Sequence, residues 1–373
     1  MDLTELETLK KYSFERHLIR PTSEIRYCSL LIRVTRNCPW NKCKFCECYK
    51  GKKFAYRDIR EIKQDIDTAN EISKKIKSLT KKVGGMSWVA KVLDSYFLYD
   101  KPPMDLEAEE VKNYQSIVNV FNWLDFGAHT VFLQDADNII METSKLVEVL
   151  KYLKLTFPTI TRITSYARVK TLLKKSSEEL RELCKAKLLR LHIGLESGDD
   201  KILKHINKGF TSKEHISAVK KAKEARIEIA EYVMPGISGR TRSEENAKNT
   251  AKVLNEIDPD YIMLRPFIPR KGTELYEEYK RGDFQLTSPH ERLREIKILI
   301  ENLNVNSSIC FDQPVMNSWY RDADRRNLLF RADSKGYKFP KEKDKVIQLI
   351  QIGLNIDERV HIHAKDQINL SSL

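Results

Sequence analysis

Six short apolar runs, each followed by a longer stretch with helical spacing, constrain this chain more than any other feature. The runs are SLLIRV (29–34), TVFLQD (130–135), RITSYA (162–167), LLRLHIGLES (188–197), EIAEYVMPG (228–236) and DYIMLRPF (260–267). The amphipathic stretches after them cover 57–76, 144–157, 176–186, 213–225, 243–257 and 288–303. Parallel neighbours need a connection of a dozen residues or more, so this alternation predicts parallel strands joined by crossover helices. No GxGxxG follows the first run, which disfavours a doubly wound dinucleotide fold. The expectation is α/β, a partial (β/α)6 TIM-like barrel over 26–303. An N-terminal segment (1–25) precedes it, an aromatic-rich insertion interrupts it at about 80–125, and an extension (304–373) follows. The aromatic residues from Trp88 to Tyr99 are expected to form a local core within the insertion. In such barrels the chemistry gathers at the C-terminal strand ends.

Directly after the first run stands RNCPWNKCKFCEC (36–48), which holds four of the chain's seven cysteines. The first twenty residues are charged throughout and lack a secretory pattern, and no apolar run approaches the roughly 18 residues of a membrane span. The expected location is the cytoplasm, with no membrane partner. A large cytoplasmic chain with one tight cysteine cluster points to metal or redox chemistry more than to disulfides. Cys38, Cys43 and Cys46 could bind three irons of a cubane on one compact loop. With Cys48 as a fourth ligand, a zinc knuckle is the alternative.

The 66 Lys and Arg against 53 Asp and Glu give a formal charge of +13. The lysines are spread along the chain and read first as solvated helix faces, with a polyanion site as the alternative.

At the cysteine loop the sequence resembles the radical S-adenosylmethionine (radical SAM) superfamily, in the group of coproporphyrinogen-oxidase-like and elongator-like catalytic domains. Cys38, Cys43 and Cys46, with Phe45 before the last, carry the resemblance. VFLQDADN, ITSYAR, LHIGLESGDD, YVMPGISG and RPFIPRKGTELYEE look like its later strand ends, so that it covers roughly residues 26–303. The first cysteine spacing is four residues where three is commonest.

The resemblance implies a 4Fe-4S cluster on Cys38, Cys43 and Cys46, SAM at the open iron, and a reductant such as flavodoxin or ferredoxin. It also implies hydrogen abstraction from an unidentified substrate in the barrel mouth. Asp135, Ala136 and Asp137 stand where the family has a Gly-Gly-Glu stretch beside the SAM amino group. Glu196 and Ser197 could hold the ribose, Tyr166 and Arg168 could reach SAM or a substrate acid, and Met234 and Gly236 could pack by the adenine. Arg265 ends the sixth strand.

An RNA-modifying enzyme of the same superfamily is the second expectation, and a zinc-binding interaction protein the third. Cys28 and Cys184 read as small buried hydrophobes, His192 as a lumen residue, and His361 and His363 as solvated tail. Cys48 and Cys310 stay open as a hydrogen donor or a second site.

Overall fold

The computed structural model describes residues 8–17, 19–26, 28–98 and 108–369. Among these residues no helix is long and apolar enough to cross a membrane. The six expected strands form as β1 (Leu30–Arg33), β4 (Thr130–Gln134), β5 (Arg162–Ala167), β6 (Leu188–Glu196), β7 (Glu228–Val233) and β8 (Tyr261–Leu264). They lie side by side in that order, all parallel. Buried on both faces, they read in sequence as continuous apolar runs. A short ribbon of β2 (Thr35–Arg36) and β3 (Ala55–Tyr56) stands apart after β1.

Local chemistry sets the crossover helices. Ser176 with Glu179, Thr211 with Glu214 and Ser288 with Glu291 form reciprocal capping boxes at helices Ser177–Lys185, Ser212–Glu224 and Pro289–Asn302. Each satisfies two backbone donors that a helix start leaves free.

The sheet continues past the expected six strands. β9 (Ser308–Cys310) adds to β8 in parallel and β10 (Tyr337–Lys338) closes the edge antiparallel, both within the stretch expected as an extension. Strands of two or three residues are too short to show periodicity. The remainder of 304–369 packs into the same apolar core as the barrel, through Trp319, Leu329, Phe330, Phe339, Val346 and Ile350. His361 is buried there instead of solvated, accepting from the Tyr320 N–H and donating to the Gly353 carbonyl.

The insertion supplies helices Met86–Leu98 and Ala108–Asp125 after the long helix Ile59–Val83. Trp88 is 55% exposed, which corrects the expectation that it joins a local core; Tyr99 lies outside the described residues. Helix Ala108–Asp125 covers the open edge of β1. Its Asn119 accepts from the Leu31 N–H at 3.0 Å and donates to the Ser29 carbonyl at 3.1 Å. An edge strand's free backbone groups are thereby paired, not left as a template for aggregation.

An aromatic layer crosses the lumen below the strand ends. Phe132, Tyr166, His192 and Tyr232 pack with ring centroids 5.2 to 6.4 Å apart. Below them Glu24, from the short helix Thr22–Arg26, is fully buried; it accepts from Ser29 Oγ at 2.5 Å and lies 3.6 Å from His192 Nε2. Above them Arg265 reaches over Tyr232, its guanidinium 5.0 Å from the ring, and donates to Asp312 and Thr22.

Candidate functional site: the cysteine ribbon at the strand-end face

Residues 37–54 form a loop tied at its base by β2 and β3, where Thr35 faces Tyr56 and Arg36 faces Ala55. Asn37 and Asn41 adopt left-handed backbone (φ 66° and 47°), a conformation that Asn tolerates better than most residues. Their side chains then close the loop: Asn37 Nδ2 donates to the Lys53 carbonyl, and Asn41 Nδ2 to the carbonyls of Tyr49 and Lys52.

The closed loop docks on the far side of the mouth. The Lys44 N–H donates to the Ile206 carbonyl at 2.9 Å, and the Lys44 carbonyl accepts from Leu275 at 3.0 Å. Trp40 Nε1 donates to the Asn207 carbonyl at 2.8 Å. Gly209 makes this fit possible, because it has φ +87° and a Cβ there would lie 2.8 Å from the Trp40 ring.

Four thiols lie on this loop and none is in a disulfide. Cys43 is pushed up to about 11 by burial, against the Lys208 cation, and the charges of Cys46 and Cys38 also reach it. The Cys46 thiol is raised by its contact with Cys48 and by burial. No three His, Cys, Asp or Glu groups among the described residues converge on a single point as one ion would require.

Lys208, which no sequence pattern singled out, fills the space beside the loop. Its ammonium donates to Glu196 Oε1 at 2.7 Å and lies 5.6 Å from the Phe45 ring. Burial would lower its pKa, but Glu196 and Cys43 raise it above the ordinary value. Gly194 leaves room for the pair, since a Cβ there would overlap Glu196 Oε1 and come within 2.8 Å of Lys208 Nζ. Phe45 and Met234 pack in one apolar cluster beside the pair.

At the end of β4, Asp135 is fully buried with φ +74°. Arg33 Nε donates to its Oδ2 at 2.5 Å, while its Oδ1 has no hydrogen-bond partner and lies 4.0 Å from His17 Nδ1. The Tyr49 hydroxyl is buried beside it, raised by burial, by the Asp135 charge and by its contact with that carboxylate. The contact falls short of a normal hydrogen bond, so the pair is the incompletely satisfied polar position beside the loop.

Other residues expected at the cofactor also make contacts within the fold. Asp137 accepts from Thr171 Oγ1 at 2.5 Å and from the Arg168 N–H at 3.3 Å, holding the start of helix Val169–Lys174, and burial pushes its carboxyl up to about 7. Ser197 donates to Asn246, and the Gly236 N–H donates to Glu295; both belong to a buried network behind the strands. Tyr166 and Arg265 turn into the lumen. Ala136 is half-buried between the two aspartates, and Arg168 lays its guanidinium 5.3 Å over the Trp40 ring. Cys310 is buried in β9 against Tyr232 and Met263, which removes it as an accessible hydrogen donor. The sequence carried no signal for His17, Arg33, Tyr49 or Lys208, because their meeting depends on the loop's docking.

Residues 94–251 match the family model of the radical SAM superfamily, a stretch that begins after the cysteine ribbon. The chain thus carries a radical SAM domain, in line with the resemblance at its cysteine loop, and enzymes of that family use a 4Fe-4S cluster and SAM. It is similar to the tRNA uridine(34) acetyltransferase of Methanocaldococcus infernus, 26% identical over 39% of this chain and 25% of that protein. It is also similar to a probable threonylcarbamoyladenosine tRNA methylthiotransferase of Methanocaldococcus jannaschii, 40% identical over 22% of this chain and 20% of that one. Among solved structures it is similar to coproporphyrinogen III oxidase from Escherichia coli, with a TM-score of 0.45 and 14% identity over 79% of this chain and 60% of that one. The chain spans about a quarter of the length of the first curated relatives it matches.

Proposed function

We propose that Cys38, Cys43 and Cys46 hold a 4Fe-4S cluster whose open iron takes SAM, and that the enzyme acts on a nucleotide of an RNA of the transfer-RNA kind. The observation that carries the first part is the set of three unbridged thiols on one docked loop at the C-terminal end of β1. When bound, the cluster and SAM supply a 5'-deoxyadenosyl radical that abstracts hydrogen from the substrate.

The chain's own residues do the binding and shielding. Asp135 Oδ1 and the Tyr49 hydroxyl are the open polar positions for SAM, and the Glu196–Lys208 pair sets the charge beside Cys43. Phe45 and Met234 give an apolar wall that excludes water. Asp137, Ser197, Gly236, Tyr166 and Arg265 support these positions without touching the cofactor. A one-electron donor such as flavodoxin or ferredoxin completes the system.

The RNA part is supported by the names of the matched relatives and by the net charge of +13. The test is anaerobic reconstitution of the full chain. About four irons per chain and reductive release of 5'-deoxyadenosine are expected, and absence of a cluster sinks the first part. Transfer RNA should bind with a steep salt dependence; a flat or absent dependence sinks the second.

A further inference from the structure

The ribbon that carries the cysteines also carries an exposed basic and aromatic edge. Lys42, Lys52 and Lys53 are exposed, and among the described residues none of them has a carboxylate partner. Tyr56 is 57% exposed, with its ring 5.1 Å from Phe54 in an edge-to-face pair. The nearby acids are already engaged. Glu15 and Glu61 pair with Arg36 and Arg57, Glu274 pairs with Lys50, and Asp58 caps helix Ile59–Val83. The rim on this side of the mouth is therefore left positive.

Trp40 is not part of the edge, because its indole N–H and its ring are used in docking against Asn207 and Gly209. Tyr56 is different: it sits on β3, opposite Thr35, at the loop's base, and nothing in the docking uses it. Lysines that meet phosphates beside an aromatic face that stacks a base are how single-stranded nucleic acid is held without sequence readout.

We propose that the β2–β3 ribbon is the RNA-contacting rim of the mouth. Lys52 and Lys53 would contact phosphates and Tyr56 would stack an unpaired base, so that the loop presenting the cysteines also delivers the nucleotide to them. This rests on the RNA reading above and adds to it a location.

The experiment titrates labelled total transfer RNA with the reconstituted full chain across a salt series. It compares wild type with Lys52→Ala/Lys53→Ala, Tyr56→Ala, and Lys185→Ala/Lys187→Ala at the barrel's opposite end. The rim lysine pair should weaken binding about tenfold and make the salt slope shallower by about two. Tyr56→Ala should weaken it about tenfold with the slope unchanged. Iron content should match wild type in both, and the opposite-end pair should stay within about twofold.

Equal weakening by the opposite-end pair overturns the location, as does wild-type binding by both rim variants at full iron content. Displacement of the RNA by poly-glutamate at equal charge also overturns it, as generic polyanion binding. A wild type that binds no transfer RNA removes the RNA reading itself, and the proposed rim with it. Lys52→Arg/Lys53→Arg, which keeps the charge, should restore the slope, and its failure to do so would mean that the alanine pair had merely disturbed the loop.

Discussion

The ribbon and the lumen lie side by side in one barrel and are built on opposite plans. The ribbon is held by backbone contacts and the side chains of Asn37, Asn41, Trp40, Lys44 and Lys50, so its thiols, Lys42, Lys52, Lys53 and Tyr56 are left over. The lumen holds Glu24, His192, Tyr232, Arg265 and Asp312 packed against one another around an aromatic layer. Glu24 Oε1, His192 Nε2, Arg265 Nε and Asp312 Oδ1 are nonetheless buried without a hydrogen-bond partner, so the lumen is held by packing and charge, whereas the ribbon leaves its groups at the surface. The difference is testable because damage to one should spare the other.

The largest separation is expected from Cys38→Ala. Iron after anaerobic reconstitution should fall from about four per chain to near background, while the thermal midpoint of the apoprotein moves by less than a degree or two. Full iron retention would break the assignment, and an equal loss in Cys48→Ala would add a fourth ligand.

Glu24→Ala attacks the lumen instead. Removing one partner of a buried ionic cluster costs about 3–5 kcal/mol, so the denaturant midpoint should drop sharply while the folded fraction still binds iron. An undiminished midpoint would mean that the lumen is wetter than its packing implies.

Gly209→Ala strains the hinge between the two regions, with an αL backbone and a clash against Trp40. A loss of about 1–3 kcal/mol is expected, together with faster exchange of the ribbon's amides. Protection unchanged across 38–54 would show that Trp40 does not hold the loop.

The most gradual effect is a pH slope from Asp137, whose carboxyl is raised by burial to about 7. A raised acid stabilises the fold below its unfolded pKa and loses that contribution as pH rises through the folded value. Stability should therefore fall by at most about 1.4 kcal/mol per pH unit between about pH 4 and 7. Asp137→Asn, which keeps an acceptor for Thr171, should flatten that stretch of the curve, and an unaltered slope would place the titration elsewhere.

The legible part of the molecule was the part with local causes. Each of the six strand–helix units carried its own signal, an apolar run followed by a 3.6-residue pattern, often with a capping Ser or Thr and a Glu three residues on. The cysteine spacing was legible for the same reason, being a pattern within eleven residues. The illegible parts depended on distant pairing. β9 and β10 exist only because β8 offers an edge. His361 is buried because the 304–369 segment folds back on the barrel. Asp135 and Asp137 are two residues apart and chemically alike, yet the first faces Arg33 and Tyr49 with one oxygen short of a normal hydrogen bond and the second holds a helix start.

By itself, then, the sequence determined a parallel barrel and a three-thiol loop at its first strand end, because periodicity and spacing are local properties of a chain. Only the tertiary structure decided which strand-end residues stay open, that Lys208 and Glu196 stand beside Cys43, and that an aromatic layer crosses the lumen while the ribbon's edge remains exposed. Those outcomes depend on where side chains more than a hundred residues apart meet, and on which polar groups find partners before a ligand arrives.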